Sequence, residues 1–116
     1  GRIEEVKRLL PTANPLARHT ALALAAQHGQ LEVVRLLLDA GEDPNRYNPE
    51  GFHAHSTPLH QAVWAEHADV VRLLVERGAR LDMRDTVYDA TPLDWAEYGK
   101  KTAIADFLKG TGTNKN

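Results

Sequence analysis

Apolar positions recur along this chain in two alternating patterns. One is a short alanine-rich run, seen at Thr20-Ala-Leu-Ala-Leu-Ala-Ala, Thr57-Pro-Leu-His-Gln-Ala-Val and Thr91-Pro-Leu-Asp-Trp-Ala-Glu. The other is a second apolar run, Val33-Val-Arg-Leu-Leu-Leu, Val70-Val-Arg-Leu-Leu-Val and Ile104-Ala-Asp-Phe-Leu-Lys, which in the first two forms a stripe at i, i+1, i+4, i+5 and in the third ends on the polar Lys109. Both have helical period, and the second leaves one apolar face for a core and one charged face for solvent. The three threonines stand 37 and 34 residues apart. Two helices per unit at such a period predict a solenoid of stacked helix pairs.

The punctuation fits. Thr20, Thr57 and Thr91 are placed to cap the first helix of each unit, and Pro58 and Pro92 follow at the first helical position, where a missing N–H costs nothing. Gly41, Gly78 and Gly110 are expected to close the second helices. Gly29 ends the first inner helix, whereas the matching positions are Glu66 and Lys100. A side chain held there at positive φ stores strain of roughly 1 kcal/mol. Asp43-Pro44-Asn45 and Asn48-Pro-Glu-Gly51 are turn sequences, so the eighteen residues between Leu38 and Thr57 form a long finger, against nine between Leu10 and Thr20.

These units resemble ankyrin repeats: Thr57-Pro58-Leu59-His60 is similar to that family's helix-start motif, and Gly41-Glu42-Asp43-Pro44-Asn45 and Gly78-Ala79-Arg80-Leu81-Asp82 to its loop motif. The resemblance implies an all-α repeat solenoid with β-hairpin fingers at right angles to the helix pairs. It implies a single domain over 1–110: an outer helix of a partial repeat in 1–14, a repeat in 15–47, a repeat with an extended finger in 48–84 and a C-terminal repeat in 85–110. The tail 111–116 holds no apolar residue and is expected to be loose. It also assigns His60 a structural bond to a neighbouring loop. The stretches 53–60 and 85–95 are similar to uncharacterised bacterial ankyrin proteins, which gives a bacterial, cytoplasmic expectation.

Composition narrows the function. Among 116 residues, 14 Lys and Arg face 16 Asp and Glu, a formal charge of −2, which is no footprint for nucleic acid or an anionic membrane. Absence of cysteine excludes disulfides, thiolate metal sites and cysteine nucleophiles. No apolar run is long enough to span a bilayer. Glu32, Arg35 and Asp39 read as a solvated, self-complementary helix face. Ser56, the one serine, lies beside His55, but neighbours in a strand point to opposite faces and no nucleophile elbow surrounds it. His53 and His55 would share a face of an extended finger and could hold a metal with one further ligand, but no recognised metal motif supports them.

The expectation is therefore a non-enzymatic protein-interaction module without cofactor or metal, binding a protein partner through a concave face and its fingers. It is expected to be monomeric, or dimeric through the last helix, whose Ile104, Phe107 and Leu108 have a neighbour on one side only. Partner-facing candidates are Gln27, His28, Tyr47, His53, Ser56, Trp64, Arg84, Tyr88 and Tyr98, chosen at finger and inner-helix ends and rich in the residue types that dominate binding hot spots. Trp64 beside small Ala65 is expected to stand free, and Trp95 to pack between repeats. The alternatives are a structural spacer or regulatory domain of a larger protein, against which the aromatic candidates argue, and a metal-binding histidine finger.

Overall fold

The structure, a computed structural model, describes residues 14–113 and, before them, residues 4, 5 and 8, which are helical. The expected outer helix over Gly1 to Leu10 otherwise lies outside the described residues, as do 114–116 of the tail. Six helices follow: α1 (Pro15–His28), α2 (Leu31–Asp39), α3 (Pro58–Trp64), α4 (Ala68–Glu76), α5 (Pro92–Tyr98) and α6 (Thr102–Thr113). They stack as three pairs. The inner helices α1, α3 and α5 pack in one row, and the outer helices α2 and α4 pack on each other behind them.

Each inner helix begins where its cap dictates. Thr57 Oγ1 accepts from the His60 N–H, and His60 Nδ1 accepts in return from the Thr57 N–H. Thr91 and Asp94 repeat this reciprocal box with a carboxylate. Helix α1 departs from the expected start at Thr20, which sits in mid-helix. The helix starts six residues earlier because Asn14 Oδ1 caps the Ala17 N–H and Pro15 follows at the first helical position. No proline follows Thr20 to interrupt the longer helix.

The core lies between the rows. Leu22, Val34, Leu37, Leu59, Ala62, Val63, Val70, Leu74 and Ala96 are fully buried, as the period requires. Gly41 and Gly78 lie at φ 97° and 94° just beyond α2 and α4. Gly110 does not stop α6, which runs on to Thr113. Glycine costs only about 1 kcal/mol inside a helix, and here no turn residue follows it at once. Phe107 on α6 is half-buried, with the Arg72 guanidinium 5.9 Å above its ring, and Lys109 pairs with Glu97 at 3.2 Å.

The fingers differ from the expected β-hairpins: among the described residues no strand forms. Finger one is a succession of turns closed by the Asn48 N–H to Ser56 O bond, and finger two by the Asp85 N–H to Ala90 O bond, both 2.8 Å. His53 (φ 66°) and Asp89 (φ 54°) turn the chain at the tips. A left-handed residue in the middle of a run breaks the pleat that a strand needs.

Candidate functional site

Units are joined by polar bonds as well as by the core. His19 Nε2–H donates to Tyr47 O at 2.7 Å, His60 Nε2–H to Ala90 O at 2.9 Å, and His67 Nε2–H to Gln27 O at 3.0 Å. His19 lies one helical turn ahead of Ala23, the position that matches His60, and makes the same kind of bond to finger one. The longer start of α1 makes this possible. Burial is the largest influence on His60 and holds it below the usual imidazole range, against the opposing pulls of the Ala90 bond and the Asp85 charge. A neutral ring is what the bonding needs, since Nδ1 accepts while Nε2 donates.

Finger two is fastened by Asp85, which is buried. Its Oδ1 accepts from the Val87 and Tyr88 N–H groups at 2.9 and 2.5 Å. Its Oδ2 accepts from the Ala90 N–H at 3.1 Å and from the Trp95 indole N–H at 2.8 Å. Burial works to raise this carboxyl, but the donors of Tyr88, Trp95, Val87 and Ala90 outweigh it and hold it below the ordinary value. Trp95 is thus half-buried against the core, as expected, and is also the link between α5 and the finger.

A succession of rings crosses the front of the molecule. His53 lies 6.1 Å from His55, His55 5.8 Å from Trp95, Trp95 6.1 Å from Trp64, and Trp64 6.5 Å from Tyr98 between centroids. The last pair is near-parallel, at 22°. Tyr98 is 86% exposed and Trp64 45%. Trp64 does not stand free over Ala65 as expected. It lies over the following turn, where a Cβ on Gly99 would come 2.7 Å from its Cζ3, and the Lys101 ammonium sits 5.2 Å from its ring centre. Gly99 has φ −84°, whereas the left-handed position of this turn is filled by Lys100 at φ 59°. The glycine is therefore required by the Trp64 ring and not by the backbone.

The remaining candidates fall into separate groups. Gln27 Nε2 approaches His53 Nε2 at 3.4 Å, and His28 is exposed at the end of α1. The Tyr47 hydroxyl donates to Arg84 O at 2.6 Å, and the Arg84 guanidinium donates to Asp89 O. Tyr88, 73% exposed, and Val87 form the outer tip of finger two. Ser56 is a correction: it is fully buried, its hydroxyl donating to His53 O and accepting from Gln61 Nε2, both at 3.0 Å. It can meet no partner. The extended His53–His55 face is also absent, because His53 is left-handed and the two rings meet edge to face. Among the described residues no three His, Cys, Asp or Glu side chains converge to hold a metal ion, and no helix is long and apolar enough to cross a membrane.

The sequence alone assigns none of these roles to Asp85, His67, His19 or Gly99. An aspartate opening a turn is a signal that could have found Asp85; the other three depend on contacts between units.

Three stacked helix pairs joined by turn-rich fingers define a repeat solenoid. Residues 22–75 match the family description "Ankyrin repeats (many copies)". A cyclin-dependent kinase 4 inhibitor B from Bos taurus is 32% identical, over 78% of this chain and 90% of that protein. Ankyrin repeat-containing protein P1E11.10 of Schizosaccharomyces pombe is 40% identical over 53% of the chain, and a putative E3 ubiquitin-protein ligase XBAT31 of Arabidopsis thaliana is 36% identical over 78%. The chain spans 28% and 19% of those two proteins. This chain belongs to the ankyrin repeat family. Ankyrin repeats are generally protein–protein interaction modules, and such domains are typically non-catalytic.

Proposed function

We propose that this domain holds a protein partner, without turnover, against the edge where its inner helices end, with the finger tips alongside. The observation that carries this is the exposed, near-parallel Trp64–Tyr98 pair. Two large apolar rings lie in water on a scaffold that fixes one of them from below through Gly99. Aromatic side chains fixed before contact lose little entropy on binding and supply much contact area. Ser56, the one serine of the chain, is buried with its hydroxyl bonded on both sides. Absence of cysteine suits a reducing compartment such as the cytoplasm.

The test compares Tyr98→Ala with Glu76→Ala on the outer face, using the intact chain to capture binding proteins from a lysate of its own cell type. Both side chains are exposed, so neither change should move the melting temperature. Capture lost by Tyr98→Ala alone is expected. Capture lost by Glu76→Ala alone would overturn the reading.

A further inference from the structure

The edge that carries Trp64 and Tyr98 also carries charge, and that charge is unbalanced. Lys101 Nζ is 3.0 Å from Glu66 Oε1 and lies over the Trp64 ring, so these two charges answer each other. Glu97, on the same helix as Tyr98, is engaged by Lys109 of α6. Asp94 lies at the far, N-terminal end of α5, where it caps Thr91. Lys100 is exposed two residues beyond Tyr98 and has no ion-pair partner among the described residues. The helix-end turn therefore presents two lysines against one glutamate. The uncommitted polar groups beside it agree in kind: the Trp64 indole N–H and the Tyr98 hydroxyl make no hydrogen bond within the described residues, and both can donate.

On the reading that a partner docks here, we propose that it presents an acidic segment, a carboxylate next to an aromatic or other apolar side chain. The apolar side chain lies on Tyr98 and Trp64, and the carboxylate accepts from Lys100 and from the free ring donors. A basic segment would face Lys100 without compensation and leave the donors unpaired as they lose water, which selects against it. Glu66 offers little to such a segment because its charge is already met by Lys101.

The experiment pans displayed random 12-residue peptides against the intact chain, then removes those that also bind Tyr98→Ala. Peptides that depend on Tyr98 should be enriched in Asp and Glu next to aromatic or apolar residues. Synthesised with a fluorescent label, they should bind Lys100→Glu at least about fivefold more weakly, Lys100→Arg as well as the parent, and the parent more weakly in 0.5 M NaCl, roughly the regime in which rim charges are screened. Neutral or basic Tyr98-dependent peptides, or indifference to Lys100→Glu, would overturn the acidic partner while leaving the docking edge standing. If no peptide depends on Tyr98, both fall.

Discussion

Asp85→Asn replaces one oxygen by an amide of nearly the same shape, and it should be almost as damaging as Asp85→Ala. Each carboxylate oxygen accepts two hydrogen bonds, one pair from Val87 and Tyr88 and the other from Ala90 and Trp95. Whichever oxygen becomes NH2 turns two donors against a third. Val87 and Tyr88 are exposed, so their N–H groups recover water. The Ala90 N–H and the Trp95 indole are half-buried and recover less. Two lost bonds to a charged acceptor at about 1.5–3 kcal/mol each, less partial rehydration, give a cost of about 2–4 kcal/mol. In a domain of this size that lowers the melting temperature by roughly 10–25 °C.

The assay is thermal and urea unfolding followed by far-ultraviolet circular dichroism, repeated from pH 7 to pH 3. The folded carboxyl titrates below its ordinary 3.8. Its stabilisation is thus complete above that value and is lost as the pH falls from it through the folded pKa. The parent should lose stability over that window more steeply than Asp85→Asn, which has no carboxyl to protonate. An asparagine variant that melts with the parent would refute the clasp.

Lys100→Gly should raise stability by ~0.5–1 kcal/mol in urea unfolding, because glycine relieves the left-handed backbone without losing an ion pair. Gly99→Ala should cost about 1–3 kcal/mol by forcing its Cβ against the Trp64 ring. That penalty should shrink in a Trp64→Ala background, measured as a double-mutant cycle of melts. Leu74, fully buried in the central pair, should cost about 2–5 kcal/mol on truncation to alanine; a variant that melts with the parent would show that the core face is misplaced.

Local chemistry is legible in the sequence; of the contacts between units, only the His60 bond, through the family resemblance, and the packing of Trp95 are. The stripe of Val33, Val34, Leu37 and Leu38, the caps at Thr57 and Thr91, and the strained turns at Glu66 and Lys100 follow from period and residue type within a few positions of chain. The start of α1 was misplaced because the repeat register drew attention to Thr20, while the strongest local signal was Asn14-Pro15. The β-hairpin fingers are what the family resemblance implies, yet the left-handed His53 that breaks the pleat cannot be inferred from its residue type. Ser56 is expected on the surface because it falls in the finger, but its hydroxyl is satisfied by Gln61 and His53 inside the finger base. The ring succession from His53 to Tyr98 joins residues up to 45 positions apart, and no periodic pattern reports it. Trp64 shows the limit well. Its position was readable, but the glycine that seats its ring lies 35 residues later, in a turn where backbone rules alone would have placed glycine one residue on.

The central claim is that a partner lies on the edge where the inner helices end. An aromatic photo-crosslinking amino acid, which keeps a ring where Trp64 or Tyr98 is replaced, placed singly at 28, 64 and 98 on that edge, and at 35, 76 and 106 on the outer helices, tests it in the intact chain. The account predicts crosslinked complexes from positions 98 and 64, weaker ones from 28, and none from the outer three. Crosslinks formed only from 35, 76 or 106 would contradict it.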